Sequence, residues 1–315
     1  MPDAKISVVL PAYQAAAYIE GAVRGLVAQT RVPDQIIVVD DGSTDETGAV
    51  LDRLRGDIPM LEVITQANAG ASQARNTALA RVQGDFVLLH DADDRLEHEA
   101  IATLVTALAA APDADMIFGG CQHVDPGDTP TGVTATPDQA RYSARDILIE
   151  NPIHTATGVL LRRAAIDRTG GFDLALRGYI DFDLWLRVAE TAPDRIAAVP
   201  DILVHYRRHP GQITGNWRRM QENWNRLCDK HADLMASLTK QEQRAARARR
   251  LLFYASVAYE AKDYASTRRL MAGCWAADPG FAASDGLARV RTAAAIASLL
   301  PAALHDRLRA HYNRG

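Results

Sequence analysis

Cysteine is scarce in this chain of 315 residues: three, Cys121, Cys228 and Cys274, stand far apart. Their spacing makes neither a zinc pattern nor a redox pair. Free thiols fit a reducing, cytoplasmic setting. Long apolar runs are also missing. The most apolar late segment, residues 293–304, contains Pro301 and is too short to span a bilayer. The start, Met1-Pro2-Asp3-Ala4-Lys5, has no basic run followed by an apolar stretch, so no signal peptide is expected. Hydrophobic residues make up 48% and charged residues 23%, which excludes disorder as a description of the whole chain.

Charge is unevenly placed. Residues 1–216 carry 18 Lys and Arg against 30 Asp and Glu, whereas residues 217–315 carry 17 against 9. A basic C-terminal third could meet anionic lipid at a membrane surface or an acidic acceptor. It could equally be a solvated helical surface, which charge alone more often means. A nucleic-acid partner is not expected.

Residues 5–120 alternate strand and helix. Apolar runs at 6–10, 36–39, 61–65, 86–89 and 116–119 read as strands, and segments 15–29, 45–54, 72–82 and 97–111 as helices. Ser43 or Thr44 is an expected N-cap of the second helix. Continuous apolar runs, rather than alternation, indicate strands buried on both faces of a mostly parallel sheet flanked by helices. Residues 126–137, rich in Pro, Gly and Thr, read as a loop. Strands are expected at 157–161 and 202–205, with a helix at 181–190 between them. Beyond about residue 216 the chain reads as all helical. A helix, turn at Asp263 and helix across 251–279 resemble one tetratricopeptide-like hairpin. The expected domains are 1–216 and 217–315.

In an open α/β sheet, ligands bind beyond the carboxyl ends of the strands. There the sequence places Pro11-Ala12-Tyr13, Asp40-Asp41-Gly42-Ser43, Asn68-Ala69-Gly70 with Ala74-Arg75-Asn76, and Asp91-Ala92-Asp93-Asp94. One acidic loop is an ordinary turn. Two at neighbouring strand ends repel each other unless a cation neutralises them. Clustered carboxylates suit a hard ion, Mg²⁺ or Mn²⁺, held together with substrate phosphates.

The order PAY, DDGSTD, NAG…ARN, DADD, GGFD…DFDLWLR and YRRH over residues 5–215 resembles the family 2 glycosyltransferases of the GT-A fold. The resemblance implies an inverting, metal-dependent transfer of a sugar from a nucleotide sugar, usually a UDP-sugar, to a carbohydrate or lipid-linked acceptor. It implies that Tyr13 stacks on the donor base beside Pro11, that Asp41 hydrogen-bonds the base, and that Asp40 shapes that pocket. Asn68 and Arg75 would line the donor site. Asp91 would lie near the ribose and Asp93 on the Mn²⁺ or Mg²⁺ ion, which His209 would approach. Asp181 matches the catalytic base.

Some positions depart from the pattern. Ile180 stands where the family often has Glu, which leaves Asp183 a rival for the base, and His90 replaces an apolar residue. Gln241-Glu242-Gln243-Arg244 is followed by Ala245 rather than Trp, which argues against processive polysaccharide synthesis. Blander roles compete: the acidic turn as a helix cap, Tyr13 as core, His209 as a surface histidine, Trp217 and Trp224 as packing rather than an acceptor platform. A non-catalytic sugar-nucleotide-binding protein and a helical scaffold are the alternatives from other classes.

Overall fold

The computed structural model describes residues 4–209 and 212–283. In order, they form β1 (Ile6–Ala12), α1 (Ile19–Val27), β2 (Gln35–Asp40), α2 (Thr47–Asp57), β3 (Leu61–Thr65), α3 (Ala71–Leu79), β4 (Phe86–Leu89), β5 (Arg95–Leu96) and α4 (Ala100–Ala110). Then follow β6 (Met116–Val124), β7 (Pro130–Ala135), β8 (Arg141–Tyr142), α5 (Ala144–Glu150), β9 (Val159–Arg162), α6 (Arg163–Thr169), α7 (Ile180–Glu190) and β10 (Ile196–Arg207). Helices α8 (Trp217–Lys230), α9 (Ala232–Ser237), α10 (Lys240–Glu260), α11 (Tyr264–Ala277) and α12 (Pro279–Ala283) complete the described chain.

The sheet runs β3-β2-β1-β4-β9-β6-β10-β5, with β7 on β6 and β8 on β10. Strands β1 to β4 are mutually parallel, and β10 is parallel to β6. Strand β9 runs against both β4 and β6, so β1, β2, β3, β4, β6 and β10 all point the same way. Their carboxyl ends therefore share one edge. The β4 run Phe86–Leu89 is wholly buried, as an unbroken apolar strand covered on both faces must be. Helix α1 seals one face with Ile19, Ala22, Val23 and Leu26, spaced at three and four residues.

Two local expectations are corrected, and one competing role falls away. Residues 126–137 are not all loop: β7 pairs antiparallel with β6, starting at Pro130, where a strand tolerates proline. Its hairpin turn is closed by the Asp125 carboxylate, which accepts from Gly127 N and Thr129 N. Neither Ser43 nor Thr44 caps α2, which begins at Thr47 without a side-chain cap; the Ser43 hydroxyl instead accepts from Gln14 N. The acidic turn does not cap α4, which begins at Ala100 after Glu99.

The chain divides into two compact units, Met1–Ile147 with Asn151–His209, and Leu148–Glu150 with Pro210–Gly315. Within the second, α10 and α11 form the expected helical hairpin, turning at Asp263, whose carboxylate caps α11 through Ser266 N. Trp217 and Trp224 are buried, with Arg218 and Arg269 over the first ring and Arg250 over the second. Part of the basic charge is thus spent on aromatic faces. Among the described residues no helix is long and apolar enough to cross a membrane. The 293–304 stretch lies outside the described residues.

Candidate active site

Tyr13 follows β1 directly and is 54% exposed, so it is not core but an open ring at the sheet edge. Its loop is pinned to the next strand's loop: Gln14 Oε1 accepts from Thr44 N and Asp45 N, and Thr47 Oγ1 accepts from Ala15 N. Pro11 sits inside β1, paired with Val39. Asp40 and Asp41 are both buried. Asp40 closes the turn after β2 by accepting from Ser43 N at 3.0 Å. Asp41 accepts from Gln66 Nε2 at 2.7 Å, Ala69 N at 2.9 Å and Gly70 N at 2.8 Å, which folds the loop after β3 against it. Asn68 stands exposed on that loop. Gly42 has φ +76°, and a Cβ there would lie 2.8 Å from Asn68 N, so only glycine fits between the two loops.

The β4 end carries the acidic turn. Arg75, 4% exposed on α3, reaches Asp91 Oδ1 at 2.5 Å and Asp181 Oδ1 at 3.1 Å, and lies over the Phe172 ring. One arginine thus joins the candidate ribose-side carboxylate to the candidate base. Burial opposes the Arg75 charge, but Asp181 and Asp91 outweigh it and hold its pKa above the usual value. Burial pushes the Asp91 carboxyl up to about 6; Arg75 pulls against this, while Asp181 and Asp93 add to it. Asp94 is buried and functions as a tie: it accepts from Thr155 Oγ1, Thr157 Oγ1 and Arg207 N. Its pKa also lies well above the ordinary range, through burial and then the charges of Asp93 and Asp91.

Asp183 is fully buried and ion-paired with Arg187 at 2.8 Å. Arg187 in turn donates to Thr169 O and Gly171 O, shaping the turn that leads back to the site. Asn76 clamps the same segment, donating to Phe172 O and accepting from Phe172 N, both at 2.8 Å. Asp181, two residues before Asp183, instead faces Arg75. Asn76 was legible only as part of ARN.

His209, just past β10, brings Nε2 within 2.8 Å of Asp93 Oδ2, across 116 residues of sequence. It is no stray surface histidine. Among the described residues no group of three or more His, Cys, Asp or Glu side chains could hold an ion unaided. A carboxylate and an imidazole close enough to share a cation fit an ion that is bound together with substrate phosphates. Arg207, unremarked in YRRH, donates through Nε to Asp93 O at 2.7 Å.

His90 lies 1% exposed behind the acidic turn, and its Nδ1 has no partner. Burial pulls its pKa down to about 4, against the attraction of Asp93. In the unfolded chain it protonates near 6.5, so stability is full above that pH and falls as pH drops towards 4. His90→Leu should abolish this loss. The variant's gain over wild type in urea denaturation should grow by roughly 3 kcal/mol between neutral pH and pH 4. A pH-independent difference would refute the buried neutral imidazole.

The glycosyl transferase family 2 model matches residues 7–170. Chondroitin synthase of Pasteurella multocida (strain Pm70) is 26% identical over 186 residues, 59% of this chain and 19% of that protein. The chain spans about a fifth of the length of several curated relatives that it matches. Staphylococcus aureus TarS, solved with UDP-GlcNAc, superposes with TM-score 0.55 at 18% identity, covering 87% of this chain and 89% of that one. Mannosyltransferase PcManGT of Pyrobaculum calidifontis, solved with GDP-Man and Mn²⁺, superposes with TM-score 0.60 at 20% identity, covering 98% and 84%. The superpositions establish a GT-A-like fold. With the family match over half the sequence, and its motifs gathered on one sheet edge, the chain belongs to glycosyl transferase family 2.

Proposed function

We propose that this chain transfers one sugar from a nucleotide sugar to an acceptor hydroxyl, in a single inverting displacement that uses Mn²⁺ or Mg²⁺. The observation that carries it is the convergence at one sheet edge of Asp93 with His209 and of Asp91 with Arg75 and Asp181. Asp93 and His209 would hold the cation, which when bound would offset the charge building on the leaving diphosphate. Asp181, at the first turn of α7, would accept the acceptor proton on the face opposite the leaving group. The anomeric carbon is expected to pass through an oxocarbenium-like state, as in glycoside hydrolysis. Arg75 would keep two carboxylates charged close together.

The base preference follows from counting hydrogen bonds. A carboxylate offers about four lone-pair directions. Three donors already occupy Asp41. The remaining one suits the single ring N–H of uracil, with Tyr13 free to stack. Guanine presents two adjacent donors and would leave one unmet. TarS, solved with UDP-GlcNAc, is consistent with uridine; PcManGT, solved with GDP-Man, shows that the fold itself does not dictate the base. Chondroitin synthase as a relative favours a carbohydrate or lipid-linked acceptor in polysaccharide or glycoconjugate synthesis, and Ala245 after Gln241-Glu242-Gln243-Arg244, where a processive synthase would have Trp, favours non-processive addition. Asn68, exposed on the β3 loop, and Pro11 would border the nucleotide.

The test is a panel of nucleotide sugars with the full chain, scored by released nucleoside diphosphate. UDP-sugars should turn over with Mn²⁺ or Mg²⁺ and stop with excess chelator, and an α-linked donor should give a β-linked product. Tighter binding of GDP than UDP, or full activity in chelator, refutes the corresponding element. UDP binding without any release would identify a nucleotide-binding protein instead.

A further inference from the structure

Arg207 is the last residue of β10 and only 5% exposed, yet its charge reaches across three segments. Nε donates to Asp93 O at 2.7 Å. Nη1 donates to Pro126 O at 3.0 Å and Asp125 O at 3.3 Å, and Nη2 to Asp128 Oδ1 at 2.7 Å. Its backbone N–H donates to Asp94 Oδ1 at 2.9 Å. The guanidinium lies 4.9 Å over the Tyr18 ring, and the same ring sits 5.4 Å from that of His209. The contacts close a circuit that begins and ends on Asp93: carbonyl to Arg207, Arg207 to Tyr18, Tyr18 to His209, His209 to carboxylate.

We propose that Arg207 is a positioning residue that sets the separation of Asp93 and His209, and with it the affinity of the site for a divalent cation. The inference rests on the metal role given to that pair above. Two ligands far apart in sequence hold an ion only if something fixes both chain segments. Arg207 grips one ligand's own carbonyl and lies two residues from the other ligand. A planar fork with donors in several directions can do this; the single nitrogen of lysine cannot reach the Asp93 carbonyl and Asp128 together. The hairpin turn at Asp125–Asp128 becomes the outer anchor, which gives β7 a link to the site.

The experiment is calorimetric titration of the full chain with UDP, with and without Mn²⁺, for wild type and Arg207→Lys. The Mn²⁺ concentration needed to enhance UDP binding should rise about 10- to 100-fold in the variant, the usual cost of losing a group that orients a ligand. UDP binding without metal should not change. A wild-type Mn²⁺ midpoint overturns the proposal, as does equal loss of metal-free binding, which would mark a merely structural arginine. If Arg207→Lys does not fold, Asp128→Asn decides. Asp128 has φ 68°, which Asn tolerates, and the change removes the counter-charge of the Arg207 guanidinium together with a longer, 3.5 Å pairing to half-exposed Arg95. It should raise the midpoint in the same direction, and an unmoved midpoint overturns the proposal. Indifference of the wild type to Mn²⁺ would instead overturn the metal reading itself.

Discussion

Asp181→Asn is expected to lower transfer on the order of a hundredfold or more, the usual worth of a general base, while UDP affinity holds. Asn keeps an oxygen facing Arg75, so the 3.1 Å contact survives in weakened form. Asp183→Asn should fail differently. Its carboxylate is fully buried against Arg187, and removing one partner of a buried pair costs about 3–5 kcal/mol. The two variants therefore separate by measurement: Asp181→Asn loses turnover at an unchanged melting temperature, and Asp183→Asn loses melting temperature with turnover per folded molecule less affected. The reverse pattern would transfer the base to Asp183.

Arg75→Met should be as damaging, for an electrostatic reason. It keeps side-chain volume over Phe172 but removes the one cation shared by Asp91 and Asp181. Asp91, already raised to about 6 by burial, would be pushed further up once its attractive partner is gone. Transfer should fall on the order of a hundredfold, and the acid limb of the rate–pH profile should move to higher pH. Arg75→Lys restores charge without the fork that spans both acids, and should recover only part of the rate. An unshifted acid limb in Arg75→Met would show that Arg75 acts by shape alone.

Much of the site is readable in sequence because its parts sit where strands end. Apolar runs locate β1, β2 and β4, and polar residues just past them mark Tyr13, Asp41 and Asp93 before any coordinates exist. The site residues that went unread, Arg207 and Asn76, grip backbone atoms. Arg207 holds a carbonyl and Asn76 holds an amide and a carbonyl, and such contacts impose no residue pattern on their partners. The Gly, Pro and Thr of residues 126–137 hid β7, because a strand exposed along its length has no apolar face to reveal it. Strand β10 was read as 202–205 but extends over Ile196–Arg207, with register shifts between Ala198 and Val204 that break its alternation.

The 116 residues between Asp93 and His209 also set a timetable. A ribosome adding roughly 5–20 residues per second leaves an interval of about 6–23 s between them. In that interval Asp91, Asp93 and Asp94 have emerged with Arg75 as their nearby cation, and neither Arg207 nor His209 yet exists. The acidic turn cannot take its final shape until β10 has been made and has entered the sheet beside β6. If Asp93 and His209 hold a cation as proposed, its capture waits for β10, and a nascent chain paused before β10 would present the Asp93 turn without its partner His209.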